Sequence, residues 1–443
     1  MALFAEAEAR EIIARVLRRS KAEGCEVSIG ASNTGNVRFA RNAVSTSGTT
    51  TNSALSVRSS FGRRSGFASA NAFDDETIAR VVAASEALAR LAPEDPEFMP
   101  PLGPQVYQPG TAWAETTAAL DGTQRAAAAR TGIDAAKQAG CVGAGYLDHT
   151  AGVSAFGNSA GLIAYHRETS SNYTITMRTP DGAGSGFATT DSFDFSRMDV
   201  AAASRIAAQK AVASQDARAI EPGKYTVILE PAASVDLLQY LLFDMDARSA
   251  DEGRSSYSKP GSTRLGEKLL DDQVTIVSDP ADPNAPSRPW DGDGRPLGRT
   301  TWVDKGVVKE FYYSRYWAAK QKKPAVPFPA NFLMSGGTRS LEELIAETER
   351  GILVTRTWYI RGVDPQTLLF TGLTRDGTFF VENGVIRHAV KNLRFNESPI
   401  VMLNNIDALG RPVRVSNAET FLPSVVPPMR IRDFTFSSLS DAV

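Results

Sequence analysis

Residues 331–390 read NFLMSGGTRSLEELIAETERGILVTRTWYIRGVDPQTLLFTGLTRDGTFFVENGVIRHAV, and the change of hydrophobic period inside this run restricts the fold more than any other stretch. Gly336-Gly337 makes a turn, after which Ser340 can cap a helix and Glu343, three residues on, can close a capping box. Leu341, Leu344 and Ile345 follow at helical spacing. Arg350-Gly351 reads as the helix stop. Beyond it, Ile352, Val354, Arg356, Trp358 and Ile360 alternate with Leu353, Thr355, Thr357 and Tyr359, the period of a strand. Asp376-Gly377 and Asn383-Gly384 are two hairpin-turn signals on either side of an apolar strand at 379–381. The pattern predicts a helix laid on an antiparallel sheet, and an α+β fold class.

The rest of the chain repeats that logic. Residues 3–21 read as an amphipathic helix with Ile12, Ile13, Val16 and Leu17 on one face, closed by Gly24. Short strands are expected at 26–29, 37–40, 54–59 and 66–70, the last two joined at Gly62-Arg63-Arg64, with a second helix from Asp74 or Asp75 to about Leu91. Six prolines between 92 and 110 mark a linker or an ordered wrap. Helices follow at 121–139 and from Asp194 or Ser196 to about Arg218, around short strands at 141–146, 153–156, 162–167 and 173–177. Pro222-Gly223 opens the last segment, with a buried-type strand at 224–230 and a helix over 231–250 started by Pro231. Residues 278–300 are loop, and a hairpin centres on Lys305-Gly306. The expected division is 1–105, 106–220 and 221–443.

The ordered features of 331–390 resemble the C-terminal domain of the TldD/PmbA family, proteins linked to peptide cleavage. The matching pieces are the SLEELI helix, the RGILVT strand and the VENGVI hairpin. SALSVRSSFGRRSGFASAN, residues 53–71, is similar to the family's N-terminal domain. The resemblance is strongest over 222–443, good over 45–90 and weak between 105 and 215. It implies strands from more than one segment enclosing a cavity, and proteolysis of unfolded peptides or maturation of small peptides as the process.

The resemblance also implies where a metal would be held. TldD-type members carry HExxxH on the helix after the first strand of the C-terminal domain, with a further cysteine ligand near the C-terminus. Aligned on Gly253-Arg254-Ser255-Ser256, that motif falls here on Gln239, Tyr240 and Asp244. No histidine lies between His166 and His388, and no cysteine follows Cys141. Glutamine is a poor zinc ligand, and tyrosine cannot replace the carboxylate base that activates a metal-bound water. The chain therefore resembles the other branch, PmbA (also called TldE), and SRPWDGDG at 287–294 looks like that branch's loop. The implied role is a non-catalytic subunit with no metal of its own. It would pair as a heterodimer with an HExxxH-bearing, zinc-containing homologue and hold unfolded peptide as an added strand on a sheet edge.

Other motifs carry less. His149 and His166 flank the turn at 157–161, so a metal pair across a hairpin is one reading and two ordinary strand histidines the other. They would be the first candidates if the chain hydrolysed peptides through a different site; a stand-alone peptide-binding scaffold is the remaining alternative. His388 reads as a surface strand residue. Arg248, Arg254 and Arg264 could hold a carboxylate or phosphate near the 239–244 positions, or be solvated beside Asp246, Asp251 and Glu252. Asp291-Gly292-Asp293-Gly294 lacks the further oxygens of a calcium loop and reads as a turn. Gly182-Ala183-Gly184-Ser185-Gly186 lacks dinucleotide-site spacing and reads as a flexible loop.

Composition removes several classes. With 48 basic and 50 acidic residues the net charge is −2, so neither nucleic acid nor an anionic membrane has an electrostatic handle, and the family's link to DNA gyrase gains none. Two cysteines, Cys25 and Cys141, cannot build a disulfide framework and read as small buried residues. Acidic residues at 6, 8 and 11 break any signal-like apolar stretch, and no apolar run approaches membrane length, so the expected compartment is cytoplasmic.

Overall fold

The computed structural model describes residues 3–110, 112–417 and 419–440. The first half of the chain builds one six-stranded antiparallel sheet. Helix α1 (Glu6–Arg19) leads into β1 (Gly24–Ala40), β2 (Ala43–Phe61) and β3 (Arg64–Ala70), and α2 (Asp75–Leu91) follows, capped by Asp74. Residues 92–110 contain no helix or strand; they run as an ordered wrap, held where Asn158 Nδ2 donates to Leu102 O and Tyr107 Oη to Gly294 O. After α3 (Glu115–Ala118) and α4 (Gly122–Gln138), capped by Asp121, come β4 (Val142–Asn158), β5 (Ile163–Arg178), β6 (Ser185–Ser192) and α5 (Val200–Ala213). The strand order is β3-β2-β1-β4-β5-β6, so the sheet crosses residue 105 through the β1–β4 pairing.

Eight expected short strands are in fact parts of four long ones or, for β3, one of normal length. The expected strands at 26–29 and 37–40 are the ends of β1, and those at 141–146 and 153–156 belong to β4. The joining stretches, such as Ser32-Asn33-Thr34-Gly35-Asn36, carry little apolar signal. Backbone pairing holds them, because β1 is paired on both sides there. One expected helix is also shorter. Asp194 caps a 3₁₀ turn and Asp199 caps α5, which ends at Ala213. Gly182 makes a turn with φ 76°, but Ser185 and Gly186 already lie in β6. A Cβ on Gly186 would sit 2.2 Å from Ala207 O, so this glycine serves close packing against α5.

One face of the sheet is covered by helices. Ile13 and Val16 of α1 and Ile78 and Val82 of α2 pack on Val27 and Leu55, while Ala129 and Ile133 of α4 and Ala207 of α5 pack on Leu147 and Ile175. The other face has no helix and looks toward the C-terminal region.

That region begins with β7 (Gly223–Leu229) and α6 (Pro231–Asp244). Strand β7 pairs with Arg350–Asp364 and with Met429–Leu439; Met429–Leu439 pairs with Leu393–Glu397, which pairs with Leu369–Glu382, which returns to Arg350–Asp364. The ring is closed, a five-stranded barrel in a mixed α+β fold. Phe395 lies over Gly372, where a Cβ would sit 2.4 Å from its ring. A second mixed sheet of short strands, bounded by Val307–Val308 and Val413–Val415, packs beside it.

Two glycine signals of the 331–390 run act otherwise than their pattern suggests. The helix is Leu341–Ala346, with the Ser340–Glu343 capping box in place, but it ends before Gly351, which lies inside the strand Arg350–Asp364. Asp376-Gly377 is not a hairpin turn. The strand continues through it: Val354 pairs with Thr378 and Arg356 with Arg375, so the two residues form a bulge, with φ 53° and 124°. A bulge uses the same positive-φ residues as a turn. Asn383-Gly384 does turn, into Val385–Ala389. Helix α6 is also shorter than expected: a second short helix, Ala247–Asp251, follows under an Asp246 cap.

Candidate functional site

The positions that resemblance aligns with HExxxH lie on α6, and each is occupied in holding the fold. Gln239 is fully buried; its Nε2 donates to Leu422 O at 3.1 Å and Ser424 Oγ at 2.8 Å, and its Oε1 accepts from Phe421 N at 2.9 Å. Tyr240 stacks on Phe370 with ring centroids 4.3 Å apart. Asp244 caps the following segment, its Oδ2 accepting from Ser256 N at 2.9 Å. One turn before Gln239, the buried Asp236 accepts from Thr420 Oγ1 at 2.6 Å and Asn417 Nδ2 at 3.0 Å. Burial pushes its carboxyl up to about 6, partly offset by the Thr420 bond. The polar face of α6 is thus a fastening for the 417–424 segment. Among the described residues, no group of three or more His, Cys, Asp or Glu could hold a metal ion. A zinc ion of the HExxxH kind does not fit Gln239, Tyr240 and Asp244.

The structure does not bring His149 and His166 together. His166 pairs with Ser154 across β4–β5, and His149 stands five residues from Ser154 on the same strand, so the two imidazoles lie on opposite faces. His149 is on the helix-covered face beside Arg125 of α4, in space left by Gly35. Burial, then the Arg125 charge, pushes it down to about 4. His166 is buried on the helix-free face, edge-on to Trp290 at 5.9 Å; burial, then Arg288, pushes it down to about 4 as well. His388 stacks on Phe380 at 5.2 Å instead of standing free in solvent.

The arginine cluster is a set of surface ion pairs. Arg248 meets Glu97 and Glu252, each at 2.9 Å, Arg254 meets Glu252 at 2.6 Å, and Arg264 meets Glu267 at 3.5 Å. Asp291 Oδ1 accepts from Asp293 N and Arg295 N, which makes 291–294 a turn. Cys25 and Cys141 are free and buried.

The open space lies elsewhere. Between the helix-free face of the sheet and the C-terminal region is a cleft of about 500 Å³. Its floor is Gly30, Ser32, Gly152, Thr150, Ser170 and Glu168; its roof includes Pro286, Ser287, Arg414 and Pro423. The cleft exists because successive floor positions on β1 and β4 are glycine, serine or threonine, too small to fill the gap. Arg414 is fixed to Asp191 at 2.6 Å and to Asn284 O at 2.9 Å. Ser287 Oγ is buried without a hydrogen-bond partner. Glu168 keeps half of its side chain in contact with solvent, yet crowding by protein raises its carboxyl, with Arg288 pulling it back.

Beside the cleft is an unpaired sheet edge. Strand β3 pairs with β2 only from Leu55 to Phe61, so residues 44–52 of β2 are bonded to β1 alone. Those residues, VSTSGTTTN, are exposed or nearly so and contain no charge and no proline. Edge strands are ordinarily blunted by such residues. Asn52 belongs to both the edge and the cleft wall.

No motif in the sequence singles out Glu168, Asp236 or this edge. Glu168 stands two residues after His166, hence on the same strand face, and Asp236 stands three before Gln239, hence on the same helix face. Arg414 comes from the distant strand Val413–Val415 and carries no local signal, while Ser287 opens the SRPWDGDG stretch at 287–294.

Comparison with known proteins decides the family. The PmbA/TldA metallopeptidase C-terminal domain matches residues 222–438, and PmbA/TldA metallopeptidase domain 1 matches residues 25–89, together more than half of the chain. The chain belongs to the PmbA/TldD metallopeptidase family. A metalloprotease of Methanothermobacter thermautotrophicus is 25% identical over 287 residues, 59% of this chain. One of Archaeoglobus fulgidus is 27% identical over 163 residues, 34% of this chain. The alignments span 61% and 37% of those relatives' own lengths. Among solved structures, TldE from Thermococcus kodakarensis superposes with TM-score 0.86 at 18% identity, over 97% of this chain and 100% of that one. A Thermotoga maritima protein described as a modulator of a DNA gyrase superposes with TM-score 0.85 at 18% identity, over the same shares. These superpositions share the mixed α+β architecture with its several sheets. No helix of the described residues is long and apolar enough to cross a membrane.

Proposed function

We propose that this PmbA/TldD family chain is the peptide-holding, metal-free subunit of a two-subunit peptidase, of the PmbA/TldE kind. A TldD-like homologue bearing HExxxH would supply the zinc and the bond cleavage. The observation that carries this reading is Gln239. At the place where a catalytic member would present a ligand into an open site, its amide is buried and bonded on both ends to the 421–424 backbone and Ser424. Such a side chain has no valence left for a metal or a water.

The peptide-holding half of the reading rests on the β2 edge. Residues 44–52 offer about 30 Å of uncapped backbone donors and acceptors. A peptide added there needs only its own main chain in extended form, which suits unfolded substrates of varied sequence. The edge runs into the cleft at Asn52, so side chains of an added strand have somewhere to go.

The test is peptidase activity on an unfolded peptide with zinc quantified, for this chain, for an HExxxH-bearing homologue, and for the mixture. Activity that needs both chains, with zinc only in the homologue, is expected. Zinc and activity in this chain alone would overturn the reading. A chain that binds peptide but never joins or stimulates the homologue would be a stand-alone scaffold.

A further inference from the structure

We infer that the cleft selects peptides carrying a positive charge, which Glu168 receives. The inference rests on the peptide-holding reading above and adds to it the class of side chain that is preferred.

Glu168 lies on β5 with its side chain toward the cleft, opposite Gly152 in the β4–β5 register. Its side chain remains 51% exposed, so a ligand can reach it. His166 Nε2 stands 3.8 Å from its Oε2, beyond hydrogen-bond range. That imidazole is buried against Trp290 and Gly110 and is held neutral, so it offers no counter-charge. Neither nearby cation bonds Glu168, and Arg288 acts on it through charge alone. Arg414 is bound to Asp191 and Asn284 O, and Arg288 lies over the Trp290 ring while its Nε donates to Trp290 O at 3.1 Å.

This is a carboxylate set in a walled space without a bonded cation, unlike Glu252, Glu267 and Asp376, each of which has one or more. A partly desolvated carboxylate of this kind gains most from a partner that brings both charge and N–H donors. A lysine or arginine side chain of an extended peptide supplies both. So does a free α-amino group. The surrounding small residues, Gly30, Ser32 and Gly152, leave room for the methylenes of such a side chain.

The test uses the full chain and two fluorescent Ser/Ala/Val peptides, N-acetylated and C-amidated so that they carry no other charge, one with a central lysine and one with norleucine there. Binding is read by fluorescence anisotropy at low salt. The lysine peptide is expected to bind about tenfold more tightly. Glu168→Gln should remove that preference and leave the norleucine peptide unchanged. A third peptide, norleucine with a free N-terminus, separates the two sources of charge: a gain there, lost in Glu168→Gln, assigns the α-amino group. Equal affinity for all three in the wild type, or a preference that survives Glu168→Gln, overturns this inference and leaves peptide holding intact. Failure of all three to bind overturns both.

Discussion

Helix α6 and the floor of the cleft both place polar side chains inside the protein, and they differ in what those side chains hold. Asp236 and Gln239 are buried on α6 and hydrogen-bonded to the 417–424 segment by several groups each. On β5, His166 Nε2 has no hydrogen bond, and Glu168 Oε2 stands 3.8 Å from it. A satisfied network adds stability and specifies one packing; an unsatisfied one costs stability and is kept where something else completes it. The contrast puts a satisfied network at Asp236 and Gln239 and an unsatisfied one on β5 at the cleft.

The largest expected effect comes from breaking the fastening. Gln239→Leu leaves Phe421 N without its acceptor and Ser424 Oγ without its donor in a dry interior. A loss of roughly 3 kcal/mol is expected, read as a fall in the thermal unfolding midpoint. An unchanged midpoint would mean that α6 is not fastened in this way.

The next effect is one of pH and has opposite signs in the two regions. His166 titrates near 4 in the fold, below its ordinary value of 6.5, so the unfolded chain takes up the proton first. Its contribution is complete above pH 6.5 and is lost as pH falls toward 4, by about 3 kcal/mol. His149, held down to about 4 by burial and Arg125, acts in the same direction. Asp236, pushed up to about 6, does the reverse: stability is present at low pH and is lost as pH rises through 6. Denaturant unfolding at several pH values should therefore show less acid sensitivity in His166→Gln, and less loss between pH 4 and 7 in Asp236→Asn. Parallel pH profiles for wild type and both variants would contradict the burial argument.

These positions also show what the sequence reveals and where it stops. Local signals hold: the Ser340–Glu343 capping box, the Asn383-Gly384 turn, and the caps at Asp74 and Asp121 all form. That Gln239, Tyr240 and Asp244 stand at the positions aligned with HExxxH is legible in residue identities alone. What pairing decides is not legible. The middle of β1 and the first half of β2 are Ser, Thr, Asn and Gly, strands only because a neighbour bonds to them. Asp376-Gly377 has the composition of a turn and becomes a bulge because the same two strands pair on both sides of it. The cleft is assembled from β1, β4 and β5, from the loop near 286 and from the strand Val413–Val415, so no window of sequence contains it.

The smallest effect on stability belongs to the edge. Thr50→Lys puts a charge on an exposed strand and should change stability by less than about 0.5 kcal/mol. The same change blunts the edge against strand addition, so peptide affinity should fall several-fold. A variant that loses neither stability nor affinity would remove the edge from the account.

The most direct measurement is hydrogen exchange of this chain with and without a saturating unfolded peptide, followed at residues 44–52 and along α6. The account predicts slower exchange in residues 44–52 and no change along α6. Protection along α6, with the β2 edge unaffected, would contradict it and return the binding site to α6.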